Sequence, residues 1–130
     1  MLVLDENLPA GQQLLLRKWR IRFRCVGVEV AAFGDDDENL IPILHRLPHP
    51  TFFTLDRDFF RPDWAHGRYC LVWLNVPDDY AAAFIRRFLR HPSFDMQAKR
   101  MGGVARVQAG GVLWWRAKQR SPQSLAWPGQ

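Results

Sequence analysis

The chain has 130 residues, 48% hydrophobic and 24% charged, which suits one domain with its own core and excludes a disordered protein. No run approaches the ~18 consecutive apolar residues of a membrane span; the opening MLVLDENLP has no basic n-region, so no signal peptide and a cytoplasmic location are expected. The net charge of +5 is uneven: residues 1–79 hold twelve acids and nine basic residues, residues 80–130 one acid, Asp95, and nine basic residues.

MLVL is apolar without alternation, as in a parallel strand buried on both faces. Pro9 suits the first turn of a helix. Leu8, Leu15 and Trp19 recur near helical spacing and predict a helix over about 8–19. IRFRCVGVEV alternates basic and apolar residues before an apolar stretch, a strand near 22–30. GDDDENLIPILHRL opens with acids, favourable at a helix N-terminus, and continues with apolar residues. An interior proline breaks the helical ladder, so this helix is expected to begin near Asn39, with Pro42 in its first turn.

TFFTL (51–55) and YCLVWLN (69–75) predict a third and a fourth strand, and YAAAFIRRFLR an amphipathic helix. Residues 103–109 and 111–117 flank Gly110 and Gly111 and predict a hairpin. The tail from Ser121, with Pro122 and Pro128, shows no pattern. Strands alternating with helices argue for an α/β fold with a mainly parallel sheet, one domain over 1–120 and a loose tail over 121–130. Cys25 and Cys70 read as reduced thiols, and no Cys/His spacing suits zinc.

In open parallel sheets, ligands bind beyond the carboxyl ends of the strands. There the first strand ends at Asp5 and Glu6. The third ends at Asp56, with Asp58 two residues on. Asp35, Asp36, Asp37 and Glu38 precede the second helix. Carboxylates held together raise one another's pKa, and a hard divalent cation relieves the conflict. Each acid also has a structural reading: Asp5 and Asp35 to Glu38 as helix caps, Asp56 and Asp58 as turn formers.

MLVLDENLP, DDDENLIPILHRL and TFFTLDRDFFRP, in this order, resemble the PIN-like nuclease families. The likeness is greatest to the small bacterial PIN-like domains near the VapC-type toxin ribonucleases, and runs from residue 1 to about 100. The resemblance implies a three-layer α/β/α sandwich and a Mg²⁺- or Mn²⁺-dependent ribonuclease, with RNA favoured over DNA. It implies Asp5, Asp37, Asp56 and Asp58 as catalytic and metal-binding residues, with Glu6, Asp36 and Glu38 in reserve. It also admits a toxin role with an antitoxin partner, and a homodimer. One position departs: similar proteins carry Arg or Lys between Thr and the first Asp, where this chain has Leu55. That departure motivates a second reading, a degenerate module that binds nucleic acid or a protein without cutting.

A negative pocket needs basic residues at its rim to hold a phosphate backbone. Arg20, Arg22 and Arg24, beside Arg17 and Lys18, form one cluster; Arg86, Arg87 and Arg90, with Lys99 and Arg100, form another. A solvated face is the plain reading of each. Trp73, inside a strand, reads as core, whereas Trp114 and Trp115 must point to opposite faces. A receiver domain would need a lysine where Asn75 stands. A haloacid-dehalogenase phosphatase would need DxDx[TV] after the first strand.

Overall fold

The computed structural model describes residues 1–27 and 37–129, apart from the side chains of 37–39. Its chain order is β1 (Leu2–Leu4), α1 (Ala10–Lys18), β2 (Arg24–Cys25), α2 (Asp37–Arg46), β3 (Thr51–Thr54), β4 (Cys70–Leu74), α3 (Ala81–Arg90), α4 (Gln97–Arg100), β5 (Gly103–Gln108), β6 (Gly111–Arg116) and β7 (Gln123–Leu125). Short 3-10 turns cover Arg57–Phe59, Pro62–Trp64 and Asp78–Tyr80.

The strands form one sheet in the order β2-β1-β3-β4-β5-β6-β7. The first five run parallel, and β6 and β7 are added antiparallel. This is the expected α/β architecture with a mainly parallel sheet. Parallel strands are buried on both faces, which explains the unbroken apolar runs: Thr51, Phe52, Phe53 and Thr54 are all buried. One core joins Leu4, Phe53, Val72, Leu74 and Ala105 to Leu16 of α1 and to Phe84, Ile85 and Phe88 of α3. The other joins Val3, Phe52, Leu71 and Val104 to Leu40 and Leu44 of α2. Helices therefore cover both faces, compatible with a three-layer sandwich.

Three boundaries differ from expectation. The second strand is described only at Arg24–Cys25, and residues 28–36 of its expected span and loop lie outside the described residues. α2 starts at Asp37 rather than near Asn39, so Pro42 falls past the first turn, where its missing N–H forfeits a helical hydrogen bond. The segment from Ser121, expected to be patternless, carries β7, which pairs with β6 through Val112↔Leu125 to Trp114↔Gln123. Trp127 follows, 2% exposed, and its Nε1 donates to the Gln108 carbonyl over 2.9 Å. A three-residue strand, Gln-Ser-Leu, is too short to show a periodicity of its own; the edge of β6 and one tryptophan define it.

β1 lies between β2 and β3, so the chain leaves β1 to one side through α1 and returns to the other through α2. The carboxyl ends of β1 and β3 thus meet where the winding reverses, the place at which doubly wound sheets form a crevice. Among the described residues, no helix is long and apolar enough to cross a membrane.

Candidate functional site

Asp5 follows β1 directly, and its N–H still donates to the Phe53 carbonyl of β3 over 2.9 Å. That bond extends the parallel ladder by one residue and fixes the carboxylate beside the end of β3. Thr54, fully buried, donates through Oγ1 to Asp5 Oδ2 over 2.6 Å. The Glu6 N–H donates to Asp5 Oδ1 over 2.8 Å. Both carboxylate oxygens are held, so the group cannot swing away.

The same Thr54 oxygen accepts from the Asp56 N–H at 3.0 Å and from Asn7 Nδ2 at 3.5 Å. Asn7 Oδ1 accepts from the Leu55 N–H at 3.4 Å. Asp56 then opens the 3-10 turn Arg57–Phe59, its Oδ1 accepting from the Asp58 N–H at 2.9 Å. The turn-forming reading of Asp56 is therefore realised, and it projects Asp58 into solvent. Phe59, 2% exposed, anchors the turn against Phe52 at 5.0 Å between ring centroids. The aromatics flanking the two acids are thus a footing that holds a polar turn on an apolar strand end.

Burial is the largest influence on Asp5 and pushes its pKa above the ordinary carboxylate value. The Thr54 and Glu6 hydrogen bonds pull the other way, and the nearby Glu6 and Asp56 carboxylates push it further up. A carboxylate that is half-desolvated and crowded by like charge is one that a cation would relieve.

The remaining sequence-derived acids are placed less fully. Asp37 opens α2, but its side chain and that of Glu38 are not among those described, and Asp36 lies outside the described residues. Among the described residues, no three His, Cys, Asp or Glu side chains are gathered closely enough to hold a metal. Asp5 and Asp56 alone match the one or two carboxylates with which Mg²⁺ is commonly bound, the other positions being water or phosphate oxygens. The described carboxylates here, Asp5 and Asp56, offer hard oxygens, which fit Mg²⁺ or Mn²⁺.

The two basic clusters do not rim these acids in the way the sequence suggested. Strand register aligns Val3 with Arg24, so Arg20, Arg22 and Arg24 approach the amino end of β1, whereas Asp5 marks its carboxyl end. Arg86 lies 3.6 Å over the Trp19 ring, and Arg87 lies 4.5 Å over the Trp127 ring. These two guanidiniums clamp α3 to its neighbours; Arg90 is exposed.

Three residues escape a reading of the sequence. Thr54 and Asn7 organise the acids but read in the sequence as strand and loop filler. Arg106 is the third. Register sets Thr54 beside Trp73 and Trp73 beside Arg106, and alternation sends all three to the α2 face of the sheet, the face of Phe52, Leu71 and Val104. Arg106 Nε is buried with no hydrogen-bond partner. Trp73, expected in the core, is only half-buried, its ring 5.9 Å from that of Phe60. An arginine inside a strand with two apolar neighbours is the available signal.

Comparison of the chain with protein-family models, curated proteins and solved structures finds no match.

Proposed function

We propose that this chain is a Mg²⁺- or Mn²⁺-dependent nuclease of PIN-like type, acting on RNA before DNA. One observation supports it above the others. Asp5 and Asp56 come from distant segments and meet at the switch point of a parallel sheet, where the buried Thr54 Oγ1 donates to the Asp5 carboxylate and accepts from the Asp56 backbone N–H, and the Asp56 carboxylate raises the cost of charge on Asp5. Such an arrangement costs stability in the empty protein and finds a purpose when a cation is shared.

Asp5 and Asp56 would hold the cation, with Asp58 and Asp37 completing the set and Glu6, Asp36 and Glu38 as the alternatives nearest to them. When bound, the ion would lower the pKa of a coordinated water and offset charge on a phosphodiester. Thr54 favours the ionised form of Asp5 and orients it by donating to Oδ2. Should Asp58, exposed beyond the turn, stay off the cation, it would be the carboxylate to accept the proton of an attacking water. Arg106 is a cation on the same face of the sheet. It takes the part of a phosphate-facing basic group that position 55 lacks, since Leu55 packs on the opposite core. A toxin acting beside an antitoxin, and a homodimer, are finer forms of this reading.

Leu55 favours a second reading, a module that binds nucleic acid or a protein without cutting it. Calorimetric titration of Mn²⁺ into the wild type and Asp56→Asn, with a single-stranded RNA cleavage assay on the same samples, separates the two. Binding and cleavage that are present in the wild type and lost in the variant support the nuclease. Binding without cleavage supports the module. An absence of Mn²⁺ binding refutes the metal site and leaves the acids as turn formers.

A further inference from the structure

The carboxylate edge leaves the opposite end of β1 unexplained. Arg17, Arg20, Arg22 and Arg24 line an open cleft of about 660 Å³ whose apolar lining includes Ile21 and Phe23. All four arginines are exposed. The ion pairs of the described residues are Arg61 with Asp63 and Lys99 with Asp95, so none of the four is neutralised by one of these. The cleft lining includes no carboxylate among the described residues. Like charges gathered around one cavity repel, and an anion relieves them.

The backbone adds a second observation. The Ile21 N–H donates to the Leu16 carbonyl and the Arg20 N–H to the Arg17 carbonyl, both at 2.9 Å. This pairing is a Schellman motif, and it puts Arg20 at the left-handed position with φ 62°. Glycine is the unstrained residue there. An arginine at that position sacrifices stability and turns a cationic side chain into the cleft wall.

We propose that this cleft binds the phosphate backbone of single-stranded nucleic acid, without metal and apart from the carboxylates. Arginine at all four positions gives planar forks that match phosphate oxygens in pairs. Half-buried Phe23 carries Arg17 5.0 Å over its ring, which holds one guanidinium in the cleft. The basic surface continues past the cleft. Trp19, next to Arg20, carries Arg86 stacked at 3.6 Å, and Arg90 lies one helical turn further along α3. Such a track suits a polymer better than one small anion.

The site stands whether or not the acids hold a metal, and its test is made in EDTA, where metal-dependent cleavage is silent. Fluorescence anisotropy of a labelled single-stranded 12-mer RNA would be followed across a salt series for wild type, Arg20→Gly and the double variant Arg22→Gln/Arg24→Gln. The wild type is expected to bind with an affinity that falls linearly in a log–log salt plot. The double variant should bind more weakly, with a slope shallower by about 1.4, or roughly 0.7 for each phosphate that is no longer neutralised. Arg20→Gly should melt at a higher temperature yet bind more weakly, a combination that misfolding cannot produce. Absence of binding by the wild type, or variants that keep its affinity and slope, would overturn the proposal. So would polyglutamate competing as well as RNA, because the cleft would then fit an acidic protein segment. RNA binding in EDTA with no cleavage in Mn²⁺ supports the cleft and refutes only the nuclease.

Discussion

Asp5 carries a burden that a neutral isostere would not. Burial is the leading cause of its raised pKa, so the folded chain holds this proton more tightly than the unfolded chain does. A carboxyl shifted in this direction contributes stability that is fully present below its unfolded pKa and lost as pH rises through the folded value. Once Asp5 ionises, the protein without a cation therefore bears the cost of a half-buried anion. Asp5→Asn should raise the melting temperature in EDTA near pH 7. The gain should shrink as the pH falls through the raised folded value, where wild-type Asp5 takes up its proton. Asparagine offers one acceptor to the two donors that hold Asp5, Thr54 Oγ1 and the Glu6 N–H, and the relief of desolvation is expected to outweigh the lost bond. With Mn²⁺ at a hundredfold excess over its Kd, the wild type should gain about 2.7 kcal/mol and the variant nothing. Thermal melts with and without metal check both halves; a variant less stable in EDTA would show that the hydrogen bonds dominate.

Gly103 poses a steric question at the same scale. A Cβ there would fall well inside van der Waals contact with the Trp114 ring. That ring is 4% exposed, with the Phe94 ring 4.7 Å away, so it cannot withdraw without repacking. Gly103→Ala should cost about 1–3 kcal/mol, the range for overpacking a filled core. Urea unfolding with an unchanged m-value would show it, whereas a neutral result would mean that the tryptophan moves freely.

Among the elements, α1 and α3 are joined by a polar bond as well as by packing. The buried Gln12 of α1 accepts through Oε1 from the Ala82 N–H, 2.9 Å away, in the first turn of α3. No side chain of α3's own N-cap residue, Tyr80, does this, so one helix caps the other. Gln12→Leu fits a hydrophobic pattern better, yet it strands a buried N–H. The expected loss is about 1–3 kcal/mol, read by chemical denaturation, with faster amide exchange confined to the first turn of α3. Elements of this kind are legible in the sequence to different degrees. β1, β3, β4 and α3 can be read directly, because continuous apolar runs and a 3.6-residue stripe report burial. Asp5, Asp56 and Asp58 follow as the residues that end those runs. Which end of the sheet receives the arginines is not legible, because alternation in 22–25 reveals a strand but not its register. Nor is Gln12, whose role depends on a helix 70 residues away.

Across the whole molecule, the parallel half of the sheet carries the candidate site and the antiparallel half closes the edge. β6 would be an exposed edge strand if the chain stopped after Arg120. β7 covers it through Val112, Leu113 and Trp114, and the chain then seats Trp127 in the α3 core, near Phe84, His91 and Arg87. His91 Nε2 and the Ala126 carbonyl, 2.8 Å apart, tie the same segment to the end of α3. Truncation after Arg120 should therefore act twice. Losing a buried tryptophan costs about 3–5 kcal/mol, enough to unfold much of a marginally stable domain. The freed β6 edge would also offer unpaired backbone groups to other copies, so the truncated chain should associate with rising concentration. Trp127→Ala keeps β7 and should lose stability while staying monomer-like in its concentration dependence. Sedimentation and melting of the two variants together separate packing from edge protection. If truncation left both unchanged, the segment from Ser121 would be no part of the fold, and the sheet would end at β6.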